Sequence, residues 1–144
     1  MTINVYTDGA CSENPGIGGW GVVIQINNSK LIYLNGGSLK TTNNQMELTA
    51  AIEGLKYFTD SSMINLFTDS KYVKEGINTW IIKWKKNGWK TTSKKEVKNK
   101  ELWVKLDKQI AQHKINWFWV KGHMGNINNE KADVLAQKFI EKNK

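Results

Sequence analysis

The sequence predicts an α/β domain: a mixed five-stranded sheet, an antiparallel meander joined to parallel strands, with helices on both faces. Three observations lead there. The first third of the chain alternates apolar and polar residues between turn signals. From Leu48 onward, apolar residues recur at helical spacing in several segments. Two further β-rich runs lie between those segments. At 144 residues, with 40% apolar and 24% charged residues, the chain has the size and composition of one folded domain, and residues 1–144 show no repeat, low-complexity tract or second boundary.

Ile3-Asn4-Val5-Tyr6-Thr7 alternates and is rich in β-formers, so it reads as a strand ending at Asp8-Gly9. Gly16-Ile17-Gly18-Gly19 reads as a flexible loop before a second strand over 20–26. Asn27-Asn28-Ser29-Lys30 is a hairpin turn into a third strand over 31–36. Leu48, Ala51, Ile52 and Leu55 then mark a helix, with Thr42, Asn43 or Asn44 as its N-cap. A fourth strand over 63–68 and a helical turn over 71–76 follow. Ile77, Trp80, Ile81 and Trp84 form a stripe at i, i+3, i+4, i+7, stopped by Asn87-Gly88. Residues 89–98 read as an exposed basic loop, Leu102, Leu106 and Ile110 as a helix, and 115–120 as the fifth strand. Ala132, Leu135, Ala136 and Phe139 mark the last helix. Right-handed crossovers through the helices make strands one, four and five parallel. In such sheets chemistry gathers at the carboxyl ends of the strands.

Charge is the first functional signal. The net charge is +8, the pI is near 9.5, and all 21 basic residues are lysines. Such a field favours a polyanion, nucleic acid first and anionic membrane second. Lysine is a point charge suited to tracking phosphates rather than reading guanine bidentately. The lone Cys11 excludes an intrachain disulfide and a multi-cysteine zinc site, and reads as a small buried thiol. A reducing, cytoplasmic location is expected, with no membrane segment, no obligate protein partner and a monomeric state.

A repeated pattern marks the candidate chemistry. The first strand ends Tyr6-Thr7-Asp8 and the fourth ends Phe67-Thr68-Asp69. If those strands are parallel neighbours, both aspartates emerge at one sheet edge, where they repel unless a cation lies between them. Glu47 lies early in the helix after strand three; its spacing from Asn44 also suits a capping box. Asp133 lies in the last helix, where an acid also complements the helix dipole. As a set of four oxygen donors they suit a hard cation such as Mg2+.

Five blocks carry a resemblance: YTDGACSENPGIGGWG at 6–21, TTNNQMELTAAIEG at 41–54, FTDSKY at 67–72, WIIKWKKNGWKT at 80–91 and WFWVKGHMGNINNEKAD at 117–133. Together, in order and over nearly the whole chain, they resemble the bacterial type 1 ribonuclease H family. The resemblance implies hydrolysis of the RNA strand of RNA–DNA hybrids with two Mg2+ ions (Mn2+ as an alternative), giving 5′-phosphate and 3′-hydroxyl ends. It places the catalytic and metal-binding carboxylates at Asp8, Glu47, Asp69 and Asp133. Asp8 bridges the ions, Asp69 and Asp133 complete the water-activating side, and Glu47 serves the leaving-group side. It assigns His123, between Gly122 and Gly125, to proton transfer or product release. His113 receives no such role and reads as a partner of its helix C-terminus.

Hybrid recognition requires sensing the ribose 2′-hydroxyl, and Asn14, Asn43 and Asn44 are candidates because an amide both donates and accepts. Each also suits turn or cap duty. Residues 80–100 hold eight lysines against the single acid Glu96, interleaved with Trp80, Trp84 and Trp89. The resemblance makes this segment a basic protrusion that clasps the DNA strand, with Trp80, Lys83, Trp84, Lys85, Lys86 and Lys90 as contacts. Packing is the main role expected of Trp80 and Trp84. Thr42, Lys40 and Asn99 match positions that hold a DNA phosphate in some relatives. One departure stands out: Lys71 occupies a position where the family usually has glutamine, so a neutral groove contact becomes ionic or is lost. Two other readings compete: an integrase- or transposase-like core on the same fold, and a non-catalytic hybrid or double-stranded RNA binding module. The four intact acids argue against both, and the Thr-Thr-Asn-Asn block with the basic protrusion argues further against the first.

Overall fold

The computed structural model describes residues 1–91, 93–121 and 126–144. β1 (Ile3–Cys11) pairs antiparallel with β2 (Gly16–Ile26), from Ile3↔Ile26 to Cys11↔Gly18. β2 pairs antiparallel with β3 (Ile32–Thr41). β1 also pairs in parallel with β4 (Met63–Thr68), and β4 in parallel with β5 (Lys114–Trp119). The sheet order is β3-β2-β1-β4-β5, the mixed sheet that the sequence predicts.

The meander strands run longer than their alternation suggests. β1 continues through Asp8 to Cys11, and residues 16–19 open β2 rather than forming a loop. Close helix packing explains the glycines. A Cβ at Gly19 or Gly21 would collide with the carbonyl oxygen of Ala136 or Ala132 on α5 (Ile127–Lys142). These residues lack side chains so that a helix can lie against the strand.

α1 (Asn43–Lys56) covers one face of the sheet. Its N-cap is Thr42, whose hydroxyl accepts from the Gln45 amide at 3.2 Å. Leu48, Ala51, Ile52 and Leu55 are buried with Val5, Val22 and Ile24, so the predicted stripe is the core face. Each large side chain so buried contributes about 1.5–3 kcal/mol. Trp103 and Leu106 of α4 (Lys100–Gln112) join the same core. On the opposite face Ala132 and Leu135 of α5 pack against Tyr6 and Val23. The rings of Tyr6, Phe67 and Phe118 stack across β1, β4 and β5 with centroids 4.7 Å apart.

The helical run after β4 has three parts: α2 (Lys71–Glu75), a π-helical turn (Gly76–Trp80) and α3 (Ile81–Lys86). Gly76 lies flat on Trp103, where any Cβ would collide with the indole. Around that indole pack Tyr72 at 5.4 Å and Trp84 at 5.5 Å, with Trp80 and Trp89 behind them. Residues 89–98 are therefore more than an exposed loop. Val97 is buried, Trp89 is half-buried, and the backbones of residues 90 and 96 pair in an isolated antiparallel bridge, with the side chains of Lys90, Lys94, Lys95 and Lys98 exposed. His113, which caps the end of α4, is buried, and its Nδ1 accepts from the Ser62 amide at 3.1 Å. That bond ties the end of α4 to the turn before β4, instead of leaving the ring on the helix's own carbonyls.

Candidate metal centre

β1 and β4 bring the aspartates together. Their parallel ladder reaches Tyr6↔Phe67, and Asp8 and Asp69 each follow two residues later. Glu47 arrives from α1, which crosses β1 so closely that a Cβ on Gly9 would strike the Met46–Glu47 backbone. One carboxylate oxygen from each of Asp8, Glu47 and Asp69 lies within 4.8 Å of the other two. Asp133, from α5, comes within hydrogen-bonding reach of Asp8. All four predicted acids thus converge. The capping-box alternative for Glu47 is not what forms: Thr42 caps the helix by accepting from the Gln45 backbone amide, and Glu47 turns into the cluster.

Two of the four acids are buried and two are half-buried. Asp8 is 3% exposed and Glu47 7%. Burial, then the neighbouring Glu47, pushes the Asp8 carboxyl well above the ordinary carboxylate range. Burial and then Asp69 push Glu47 upward too, partly offset by hydrogen bonds from the Gly9 amide, Asp8 and the Ser70 hydroxyl. Glu47 Oε1 is buried with no hydrogen-bond partner among the described residues. Buried acids of one sign, one with an orphaned oxygen, fit a divalent cation; all the donors are oxygen, which suits Mg2+ or Mn2+.

Two residues outside the predicted set support the centre. Ser70 is buried, donates toward Glu47, and caps α2 by accepting from the Val73 amide at 3.1 Å. Asn129, 1% exposed on α5, donates from Nδ2 to the carbonyls of Thr7 and Phe67, each at 3.4 Å. It thereby joins β1 and β4 just behind Asp8 and Asp69.

A second group lines a cleft of about 580 Å3 at the β1–β2 turn: Cys11, Asn14, Pro15, Thr42, Asn43, Asn44, Lys98 and Asn99. Asn14 Oδ1 accepts from the Asn43 amide at 2.9 Å, which fixes the turn to the start of α1. Asn99 has φ +61 and does not cap α4 with its side chain. Its Oδ1 instead accepts from Gln45 Nε2 at 3.1 Å, and its Nδ2 donates to the Tyr72 hydroxyl at 3.0 Å. The Trp103 indole donates to that same hydroxyl. Cys11 is half-buried here, its thiol directed at the Glu13 and Thr41 carbonyls. Lys40 is exposed near the end of β3.

Of the predicted protrusion residues, Trp80 and Trp84 belong to the aromatic cluster. Lys83, Lys86 and Lys90 are exposed, and Lys85 pairs with Asp107 at 3.4 Å. Lys71 is exposed beside Asp69. His123 lies outside the described residues.

The RNase H family model matches residues 1–141. The chain belongs to the bacterial type 1 ribonuclease H family. It is 56% identical over 138 residues to the ribonuclease H of Ehrlichia ruminantium (strain Gardel), covering 96% of this chain and 94% of that protein. It is 52% identical over 136 residues to that of Marinobacter nauticus, covering 94% of this chain and 92% of the relative. Among solved structures it resembles LC9-RNase H1, a type 1 RNase H with the type 2 active-site motif (TM-score 0.86, 28% identity, 99% of this chain and 74% of that one). The ribonuclease H fold recurs in LC11-RNase H1, at TM-score 0.69 and 24% identity over 98% of each chain. Membership makes this chain a metal-dependent ribonuclease H, an enzyme that cleaves RNA within RNA–DNA hybrids.

Proposed function

We propose that this chain acts by two-metal-ion hydrolysis on the RNA strand of hybrids, leaving 5′-phosphate and 3′-hydroxyl ends, with Asp8, Glu47, Asp69 and Asp133 as the ligands. The observation that carries this is the convergence of three carboxylates within 4.8 Å, with Asp133 alongside and Glu47 Oε1 without a hydrogen-bond partner among the described residues. Divalent cations, when bound, activate water and offset charge on the phosphate. Asp8, the most buried of the four and in reach of the other three, would be the ligand shared between the ions. Asp69 and Asp133 would complete the ligand set of the water-activating ion, and Glu47, hydrogen-bonded by Gly9 and Ser70, would serve the ion on the leaving-group side. His123 assists proton transfer or product release. Mg2+ is the expected ion.

The groove at Asn14, Thr42, Asn43, Asn44 and Asn99 is the natural recognition surface, since its amides and hydroxyl suit a 2′-hydroxyl and a phosphate. The protrusion presents Lys83, Lys86 and Lys90 to the DNA strand, with Lys85 partly engaged by Asp107. Trp80 and Trp84 set the protrusion's shape and add contact where they remain exposed. The protein is read as a single domain, monomeric and cytoplasmic.

The test is cleavage of one labelled sequence as hybrid, double-stranded RNA and double-stranded DNA, with Mg2+ and with chelator. Mg2+-dependent cutting of the hybrid's RNA strand alone, with 5′-phosphate ends on the products, is the expected result. Cutting of DNA, or cutting that persists in chelator, would overturn the reading.

A further inference from the structure

A second cleft, of about 280 Å3, opens beside the carboxylates on the β4–β5 side. Asp69, Ser70, Lys71 and Lys74 form one wall, from the turn into α2; Trp119, Val120 and Lys121 form the other, from the end of β5. Lys71 and Lys74 stand one helical turn apart, so their ammonium groups share a side of α2. Lys121 lines the same cleft from the segment that follows β5. All three lysines are exposed. None of them is in an ion pair among the described residues, whereas Lys56, Lys85, Lys100, Lys105 and Lys144 each have an acidic partner. Against these three ammonium groups the cleft lining holds one acid, Asp69, which belongs to the carboxylate cluster, so the cleft carries a net positive charge that favours an anion.

The sheet order says which anion. The Asn14–Asn99 groove lies at the β1–β2 turn, the carboxylates lie at β1 and β4, and the lysine cleft lies beyond them at β4 and β5. A nucleic-acid strand with its scissile phosphate at the carboxylates must continue past them. Cations held by the acids offset the charge there, but a phosphate one step along needs positive charge of its own.

We infer that Lys71, Lys74 and Lys121 form an RNA-strand phosphate subsite adjoining the metal centre, which holds the phosphodiester next to the scissile one; this rests on the hybrid-nuclease reading above. Lysine suits the task because it neutralises a phosphate without reading a base. The half-buried Trp119 supplies a firm floor.

The experiment compares the full chain with a Lys71→Gln/Lys74→Gln/Lys121→Gln triple variant on a hybrid with one preferred cleavage site. The triple variant should raise KM roughly tenfold, much more than it lowers kcat, and reduce the slope of log(kcat/KM) against log[salt] by about 1, as for one lost phosphate contact. A neutral methylphosphonate at the RNA position flanking the scissile phosphate should impair the unmodified protein as strongly, and add little in the triple variant. An unchanged KM and salt slope, or a full methylphosphonate penalty that persists in the triple variant, overturns the subsite and leaves the nuclease reading standing. If the unmodified protein cuts no hybrid, both fall together.

Discussion

At Asp8, burial and the acids around it act in one direction, and each disfavours the ionised carboxyl in the metal-free protein. Asp8→Asn removes that repulsion while keeping the side chain's shape. Activity should fall by at least about a thousandfold, as expected when a central electrostatic element of a site is lost. The metal-free variant should also be more stable than the parent by on the order of 1–3 kcal/mol near neutral pH, since a tenfold change in proton affinity is worth ~1.4 kcal/mol. Thermal melting in chelator, beside a cleavage assay, reads both effects. A variant that loses activity and stability together would point to a fold defect instead. Gly9 makes a complementary case. Gly9→Ala would push against the Met46–Glu47 backbone and displace Glu47 from the cluster, at about 1–3 kcal/mol of stability. Its Mg2+ affinity, followed by calorimetry, should weaken although all four acids remain.

Between elements, the bond from Gln45 through Asn99 to Tyr72 is what couples the start of α1, the base of the protrusion and α2. The Tyr72 hydroxyl accepts from both Asn99 and Trp103, so Tyr72→Phe leaves two donors without a partner, at about 1–3 kcal/mol. Freed from one side, Asn99 should hold its φ +61 geometry less firmly. The expected kinetic result is a rise in KM for hybrid larger than any fall in kcat, and Tyr72→His should restore part of the loss. An unchanged KM would mean the network serves stability only. This coupling was invisible in the sequence because its members lie 54 and 27 positions apart and share no motif. Asn129 escaped for the same reason: its partners Thr7 and Phe67 are 122 and 62 positions away. What could be read was local or repeated. The α1 stripe, the Thr-Asp pair closing Tyr6-Thr7-Asp8 and Phe67-Thr68-Asp69, and the crossover rule together placed two acids at one edge. The glycines of residues 16–19 misled, since composition does not distinguish a loop from a strand under a close helix.

For the whole molecule, the carboxylate cluster sets how stability and cation binding depend on pH. Asp8 and Glu47 have folded-state values raised above the ordinary carboxylate value near ~4. Between that value and the raised ones, the folded chain holds more protons than the unfolded chain. The cluster's contribution is therefore complete below about pH 4 and declines as pH rises through neutrality. Other groups shape the total curve, so the informative quantity is the difference between the parent and Asp8→Asn. In chelator the parent should lose ground steadily from about pH 4 to about pH 10, where Asp8 ionises in the folded chain. Mg2+ reverses the trend, because binding favours the deprotonated cluster and stabilises the folded state in proportion to ln(1 + [Mg2+]/Kd). The Mg2+-induced rise in Tm should accordingly grow with pH in the parent, and be much smaller in the variant. Equal Mg2+ effects in the two proteins would show that the ion's stabilisation arises away from these carboxylates, and would remove the physical basis for treating their repulsion as the counterpart of metal binding.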